Sequence, residues 1–277
     1  MIYISVAMYC EARPFISYLG LKRDNSVKLY EIFKNEEVTL IISGIGPFES
    51  AIATTYLLTQ YNAGISDIFM NIGICGSKKE DRKIGSIFLC NKIINSDTKR
   101  TYYPDVLVKH PFIEGALETF SAVINKEKKK IIVGDLVDME GAGAFQAASS
   151  FLPPHNIYVI KIVSDLLDGE SVTPKFVSQM INENISIICN FIKEIDKINT
   201  TSKKVLIEEE EEVLNRICKN LRLTSTMEYQ LKDLSIQYKI REGGLLNKLE
   251  SFLKVSCKDK KERKMHFERL KEKLMEC

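Results

Sequence analysis

Three carboxylates, far apart in the 277-residue chain, stand where chemistry could be done: Glu11, Glu140 and Asp165. Glu11 comes just after the apolar run Ile2 to Met8. Glu140 follows Ile131 to Met139 and opens a segment of Ala and Gly. Asp165 follows Asn156 to Ser164, a run rich in β-branched residues. All three therefore come after segments that read as strands, and in an open α/β sheet the binding crevice lies outside the carboxyl ends of the strands. Three acids delivered there are expected to line one pocket. Two acids delivered to neighbouring strand ends, Glu140 and Asp165, are what a sugar-and-base substrate would need.

The elements that must position these acids can be read from periodicity. Lys28 to Phe33 and Val38 to Ser43 read as strands around Lys34-Asn35-Glu36. The second runs into Gly44-Ile45-Gly46-Pro47 ahead of a helix over Ser50 to Gln60, a junction whose amides can face an anion or a hydroxyl-rich group. Ile68 to Asn71 and Gly85 to Ile94 are further strands, and Asp97 to Pro104 is a polar, aromatic loop. The segment Pro111 to Phe120 reads as a helix. Lys126 to Lys130 reads as a solvated turn. Gly141 to Phe151 is a helix small enough to lie close on the sheet, stopped by Pro153-Pro154, and Pro174 to Ile198 carries apolar residues at helical spacing. Strands alternating with helices give an α/β, three-layer α/β/α architecture with a mixed central sheet.

Composition shifts at Asn199 to Lys204. Beyond it lie helix formers only: the acidic run Glu208 to Glu212, a capping-box pattern at Ser225 to Glu228, the break Gly243-Gly244 and the basic stretch Lys258 to Lys273. Two domains are expected, 1–199 and an all-helical extension over 200–277. Acids interleave the basic stretch, which reads as a solvated helix face rather than a nucleic-acid patch. The net charge of +2 gives no general pull toward nucleic acid or membrane, and seven scattered cysteines with three histidines offer neither a zinc pattern nor a disulfide framework. The expectation is a cytoplasmic protein with no metal and no cofactor.

The fragments Ala7-Met-Tyr-Cys-Glu11, Ser43-Gly-Ile-Gly46, Asn71-Ile-Gly-Ile-Cys-Gly76, Gly85-Ser-Ile, Val137-Asp-Met-Glu-Gly141 and Ile162-Val-Ser-Asp165 occur in this order. They resemble, in turn, the A-M-x-x-E, S-G-I-G, N-T-G-x-x-G, v-G-D-i, D-M-E-[GA] and [IV]-S-D motifs of the purine nucleoside phosphorylase and nucleosidase superfamily, and within it the 5′-methylthioadenosine/S-adenosylhomocysteine nucleosidases. The resemblance implies that Asp165 is the general acid at N7 of the departing purine and that Glu11 is the base that aligns the attacking water. It implies that Glu140 holds the ribose hydroxyls with Met139 packed on the sugar. Gly46, Ile74 and Ser164 fall on its binding motifs, and Phe120 is the candidate for the ring that stacks on the base. A homodimer or higher homo-oligomer is implied too.

Departures matter. Phosphorylases of this superfamily carry Arg at the position of Asn71 and Ser or Thr at that of Ile74, where they bind phosphate; an apolar side chain cannot donate to a buried oxyanion. Water is thus expected as nucleophile, and a 5′-modified adenosine as substrate. Two alternatives stand beside this reading: a phosphorylase taking phosphate elsewhere, and a catalytically impaired module that binds a nucleoside, or a protein partner through its C-terminal helices.

Overall fold

Ile2 to Val6, all buried, form β1 at the centre of a mixed sheet, because a strand covered on both faces has no place for the polar half of an alternating pattern. The computed structural model describes residues 1–79, 81–124, 126–168, 172–203, 206–257 and 259–275. It divides into two compact units, Met1–Asp196 and Lys197–Cys277.

In the first unit, β1 is followed by α1 (Tyr9–Leu19), β2 (Lys22–Arg23), β3 (Ile32–Lys34), β4 (Val38–Ile42), α2 (Pro47–Gln60), β5 (Ile68–Ser77) and β6 (Ile87–Asn95). Then come β7 (Thr101–Tyr102), β8 (Ile113–Thr119), β9 (Leu136–Asp138), α3 (Gly141–Ala148), β10 (Ile157–Asp165) and α4 (Pro174–Lys203). β1 pairs in parallel with β4 and β5, and β5 pairs in parallel with β10. β6 runs antiparallel to β10 and parallel to β8, and β8 runs parallel to β9, which closes back on β5. Five strands, β5, β10, β6, β8 and β9, thus form a ring at one end of the sheet. Side chains of α1 and α4 cover one face, with Phe15, Ile181 and Ile188 packed on Ile4, Ile72 and Ile160. Those of α2 and α3 cover the other, with Leu57, Ala144 and Phe145 packed on Phe69, Val159 and Val163. These are the three layers of the α/β/α architecture.

Several local readings are corrected. Pro111 to Phe120 is not a helix: residues Ile113–Thr119 are a strand, held by parallel pairing to β6 and β9 despite the helix-favouring Glu114, Ala116, Leu117 and Glu118. Non-local pairing here overrides local propensity. Lys28 to Glu31 lie outside β3, and Thr101–Tyr102 in the expected loop pair with β6. Glu11 is the third residue of α1, which begins at Tyr9 and contains Pro14 in its interior. Lys126–Ile131 form a 3-10 helix rather than a turn. Gly143 serves a close approach, but to α2: a Cβ there would stand 2.0 Å from the Pro47 carbonyl oxygen.

α4 runs on through Lys203, so the compositional shift at Asn199 falls inside a helix; Lys204 lies outside the described residues. The second unit holds α5 (Glu208–Leu221), α6 (Ser225–Glu242), α7 (Leu245–Leu249) and α8 (Lys260–Met275) around Leu214, Ile217, Leu231, Leu249, Phe267 and Leu270. The capping box expected at Ser225 is absent: Thr224 is the N-cap and makes no side-chain cap, while Glu210 instead accepts the Ile207 amide at 2.8 Å. Lys260, Lys261 and Lys264 of the basic stretch are exposed, and Lys258 lies outside the described residues.

Candidate active site

The first turn of α1 places Glu11 back over the end of β1. Its Oε2 accepts the amides of Ala7 and Met8 at 2.9 and 3.0 Å, and its Oε1 accepts the Ile74 amide from β5 at 3.0 Å. The half-buried side chain of Ile74 carries no hydrogen bond, so its backbone does the work. Glu140, between β9 and α3, accepts the Gly46 amide at 3.1 Å. Gly46 holds φ at 118°, a conformation that favours glycine, and a Cβ there would meet Glu49 at 2.6 Å. One glycine thus turns the chain into α2 and offers its N–H to the acid.

Between these two acids stands a residue that the motifs did not single out. Lys161, in the middle of β10, is 1% exposed, and its Nζ lies 2.8 Å from Asp138 Oδ2. Asp138 is saturated: Oδ2 also accepts the Gly141 amide at 2.7 Å, and Oδ1 accepts the Thr119 hydroxyl at 2.6 Å. Thr119 in turn accepts the Ala142 amide at 2.9 Å. A Cβ on Gly73 would lie 2.9 Å from Glu11 Oε1 and 3.6 Å from Lys161 Nζ, so glycine is what lets the acid and the ammonium approach. The sequence did carry a signal: a lone lysine in Ile157-Tyr-Val-Ile-Lys-Ile-Val is a charge in a strand buried on both faces, which needs a partner. Asp138 is that partner, one residue before the motif's Met-Glu.

Electrostatics binds these groups into one cluster of three carboxylates and one ammonium. Burial raises the Glu11 pKa, against the pull of the Ile74 amide and of Lys161. Burial, then the negative charge of Asp138, lifts Glu140 to about 7, and Glu11 adds to the rise. Burial pulls the Lys161 pKa down, but the charges of Asp138 and Glu140 outweigh it and hold the ammonium charged. Near neutral pH the cluster keeps a proton on one carboxylate part of the time, since three adjacent anions around one cation cannot all ionise freely.

Asp165 lies at the end of β10, four residues beyond Lys161 and past an irregularity in the pairing of that strand with β5. Its Oδ2 accepts the Ser164 hydroxyl at 2.7 Å and its Oδ1 the Leu167 amide at 3.0 Å; Ser164 also donates to the Cys75 carbonyl of β5 at 3.1 Å. Asp165 and Ser164 line a cavity of about 300 Å³ with Ile84, Asp168, Val172, Thr173 and Phe176. Neither Glu11 nor Glu140 is among the walls of that cavity. Glu11 and Glu140 thus meet in the buried cluster around Lys161, and Asp165 lines a cavity at the end of the strand that supplies Lys161. Met139 is half-buried beside Glu140. Phe120 is buried among Ile124, Ile132, Val137 and Leu167, two residues on from Asp165 in the last case, and its amide donates to the Asp138 carbonyl at 2.9 Å. No group of His, Cys, Asp and Glu among the described residues could hold a metal ion.

With this geometry, comparison with known proteins is informative. A family model described as Phosphorylase superfamily matches residues 6–130. Over that span the chain is similar to this superfamily. It is similar to the 5′-methylthioadenosine/S-adenosylhomocysteine nucleosidase of Buchnera aphidicola, 28% identical over 196 residues that cover 58% of this chain and 80% of the relative. The nucleosidase of the same name from Staphylococcus haemolyticus is 23% identical over 202 residues, covering 60% and 86%. Among solved structures, that nucleosidase of Helicobacter pylori superposes with a TM-score of 0.60 at 18% identity, covering 70% of this chain and 97% of that one. The futalosine hydrolase of the same organism gives 0.58 at 19%, covering 70% and 97%. These solved structures thus share the α/β fold, while the family-model match stops short of Asp138, Glu140, Lys161 and Asp165.

Proposed function

We propose that the chain is a purine nucleosidase that hydrolyses the N-glycosidic bond of a 5′-modified adenosine, such as 5′-methylthioadenosine, S-adenosylhomocysteine or 5′-deoxyadenosine, and releases adenine. The observation that carries it is the buried cluster in which Glu11 and Glu140 flank Lys161. Glu140, its pKa raised to about 7, holds the ribose hydroxyls, with Met139 against the sugar. Glu11, its basicity raised by burial, takes a proton from water as the water oxygen bonds to C1′. The C1′–N9 bond breaks, and Asp165 gives a proton to N7 of the departing base. Positive charge on the sugar develops beside two carboxylates, where a fixed anionic environment stabilises it most. The stretch of β10 between Lys161 and Asp165 is long enough for one nucleoside and the side chains that reach it.

The same cluster favours water over phosphate. Lys161 is the cation beside Glu11, and it is already held by Asp138 at 2.8 Å with Glu140 close by; a phosphate brought to it would face three carboxylates. Incubation with 5′-substituted adenosines and futalosine, with and without phosphate, tests the reading by release of free base. Adenine release independent of phosphate supports it. Phosphate-dependent release favours the phosphorylase alternative, and tight binding without turnover the impaired module.

Three further readings accompany the activity. Ile45, Phe48 and Ile52 present exposed apolar side chains around the start of α2, beside Gly46, which supports a homodimer formed on that face. No helix among the described residues is long and apolar enough to cross a membrane, which is compatible with the cytoplasmic site of action proposed here. The helical second unit is proposed to bind a protein partner rather than to take part in the chemistry.

A further inference from the structure

Both oxygens of Glu11 and of Asp138 are hydrogen-bonded, and Lys161 is paired with Asp138. One layer deeper along the strands this completeness ends. Ser5 and Asn71 are register partners on β1 and β5, and both are buried. Asn71 Nδ2 donates to the Ser5 carbonyl, yet Asn71 Oδ1 and Ser5 Oγ have no hydrogen-bond partner. On α2, the hydroxyls of Ser50 and Thr54, both fully buried, have none either.

Alternation along a strand puts Ser5 on the same face as Tyr3, and Asn71 on the same face as Phe69. That is the face under α2, since Tyr3 and Phe69 pack with Ala53 and Leu57 in one apolar cluster. Ser50 and Thr54 are buried on the same side of α2 as Ala53 and Leu57. Four unpaired oxygens therefore face one layer from two sides. Directly above it, two residues on from Asn71, Gly73 pairs with Lys161 and leaves the gap in which Glu11 and Lys161 meet. The side chains around the layer are small, with Ala53, Ala142 and Ala144 in the same cluster.

A buried hydroxyl or amide oxygen without a partner costs its full desolvation. Chains rarely carry four in one place, and internal water, making roughly three hydrogen bonds to such groups, is the usual remedy in a polar interior. We propose that Ser5, Ser50, Thr54 and Asn71 form a binding site for internal water immediately behind Glu11 and Lys161. Asn71 Oδ1 accepts from the water, and the three hydroxyls donate to it or accept from it. The acid cluster then rests on a hydrated floor, through which its hydrogen-bond network continues into the sheet–α2 interface. This holds whether or not the acids hydrolyse a nucleoside.

The test is a crystal structure of the full chain at a resolution that shows ordered water, for the wild type and for Ser50→Ala/Thr54→Val, with oxygen-17 relaxation dispersion counting long-lived waters in solution. The expected result is density within hydrogen-bond distance of at least two of the four oxygens in the wild type, lost in the double variant, with at least one fewer long-lived water. A dry layer, oxygens paired with one another or with helix carbonyls, or equal counts in the two proteins overturns the proposal. Thr54→Val alone, which keeps the side-chain shape, serves if the double variant does not fold. A melting temperature raised above the wild type, as removal of an idle hydroxyl gives, counts against the site; a lowered one supports it.

Discussion

Replacing Glu140 by Gln removes one anion from a cluster of three without removing its bulk. In the folded protein the Glu140 pKa is raised from 4.5 to about 7 by burial and by Asp138. The sign follows from linkage: a group whose folded pKa is raised stabilises the fold fully below its unfolded pKa, and that stability is lost as pH rises through the folded value. Each unit of pKa corresponds to about 1.4 kcal/mol, so the wild type is expected to lose up to about 3 kcal/mol between pH 4.5 and pH 7 and above. The substituted glutamine would be neutral throughout and, with its amide oxygen toward Gly46, would keep that hydrogen bond. Glu140→Gln should therefore match the wild type near pH 5 and exceed it near pH 8, by roughly 5–10 °C in melting temperature for a unit of this size. Thermal unfolding followed by circular dichroism across pH 5 to 9 reads this directly. Parallel stability profiles for the two proteins over that range would refute the idea of a shared proton in the cluster. Binding of an adenosine analogue should weaken in the variant even as the fold strengthens, which separates the ribose role from stability.

Lys161→Met leaves Asp138 charged and buried without its cation, and removing one partner of such a pair costs about 3–5 kcal/mol; denaturant titration should show it, and Asp138→Asn/Lys161→Met should recover part of the loss. Asp165→Asn should lower kcat by roughly 10²–10⁴ while the melting temperature moves little, because general-acid transfer is what it removes; an unchanged kcat on the preferred nucleoside would take Asp165 out of the mechanism. Glu11→Gln is not a neutral probe: Oε2 accepts two amides, and an amide nitrogen there would face two donors, so a loss of about 1–3 kcal/mol in stability is expected alongside lost turnover. Truncation after Lys203 should leave turnover of the first unit unchanged; a drop would give the helical unit a part in the chemistry.

The layered α/β/α architecture could be read from the chain because strands such as Ile157–Asp165 are buried on both faces, and long apolar runs of that kind have few other homes. β8 could not. Ile113–Thr119 has helix formers at its centre, and only its neighbours β6 and β9, distant in sequence, make it a strand. Glu11 and Glu140 were legible by motif, yet their cluster depends on Lys161, Asp138 and Thr119, whose roles lie in one ion pair and three short hydrogen bonds spread over β8, β9, β10 and the start of α3. Residue type alone says that a buried lysine needs an anion; it does not say which one. The place of Asp165 was equally hidden, since the irregular end of β10 beyond Lys161, not the order of the motifs, sets it.

The ring closed by β10 has a consequence for biosynthesis. Until the ribosome has released residues 157–165, the chain owns Glu11, Asp138 and Glu140 but not the ammonium that reconciles them. β10 pairs between β5 and β6, strands that precede it in the chain. Insertion of that single segment closes the ring of strands and brings the Lys161 ammonium to Asp138 in one event.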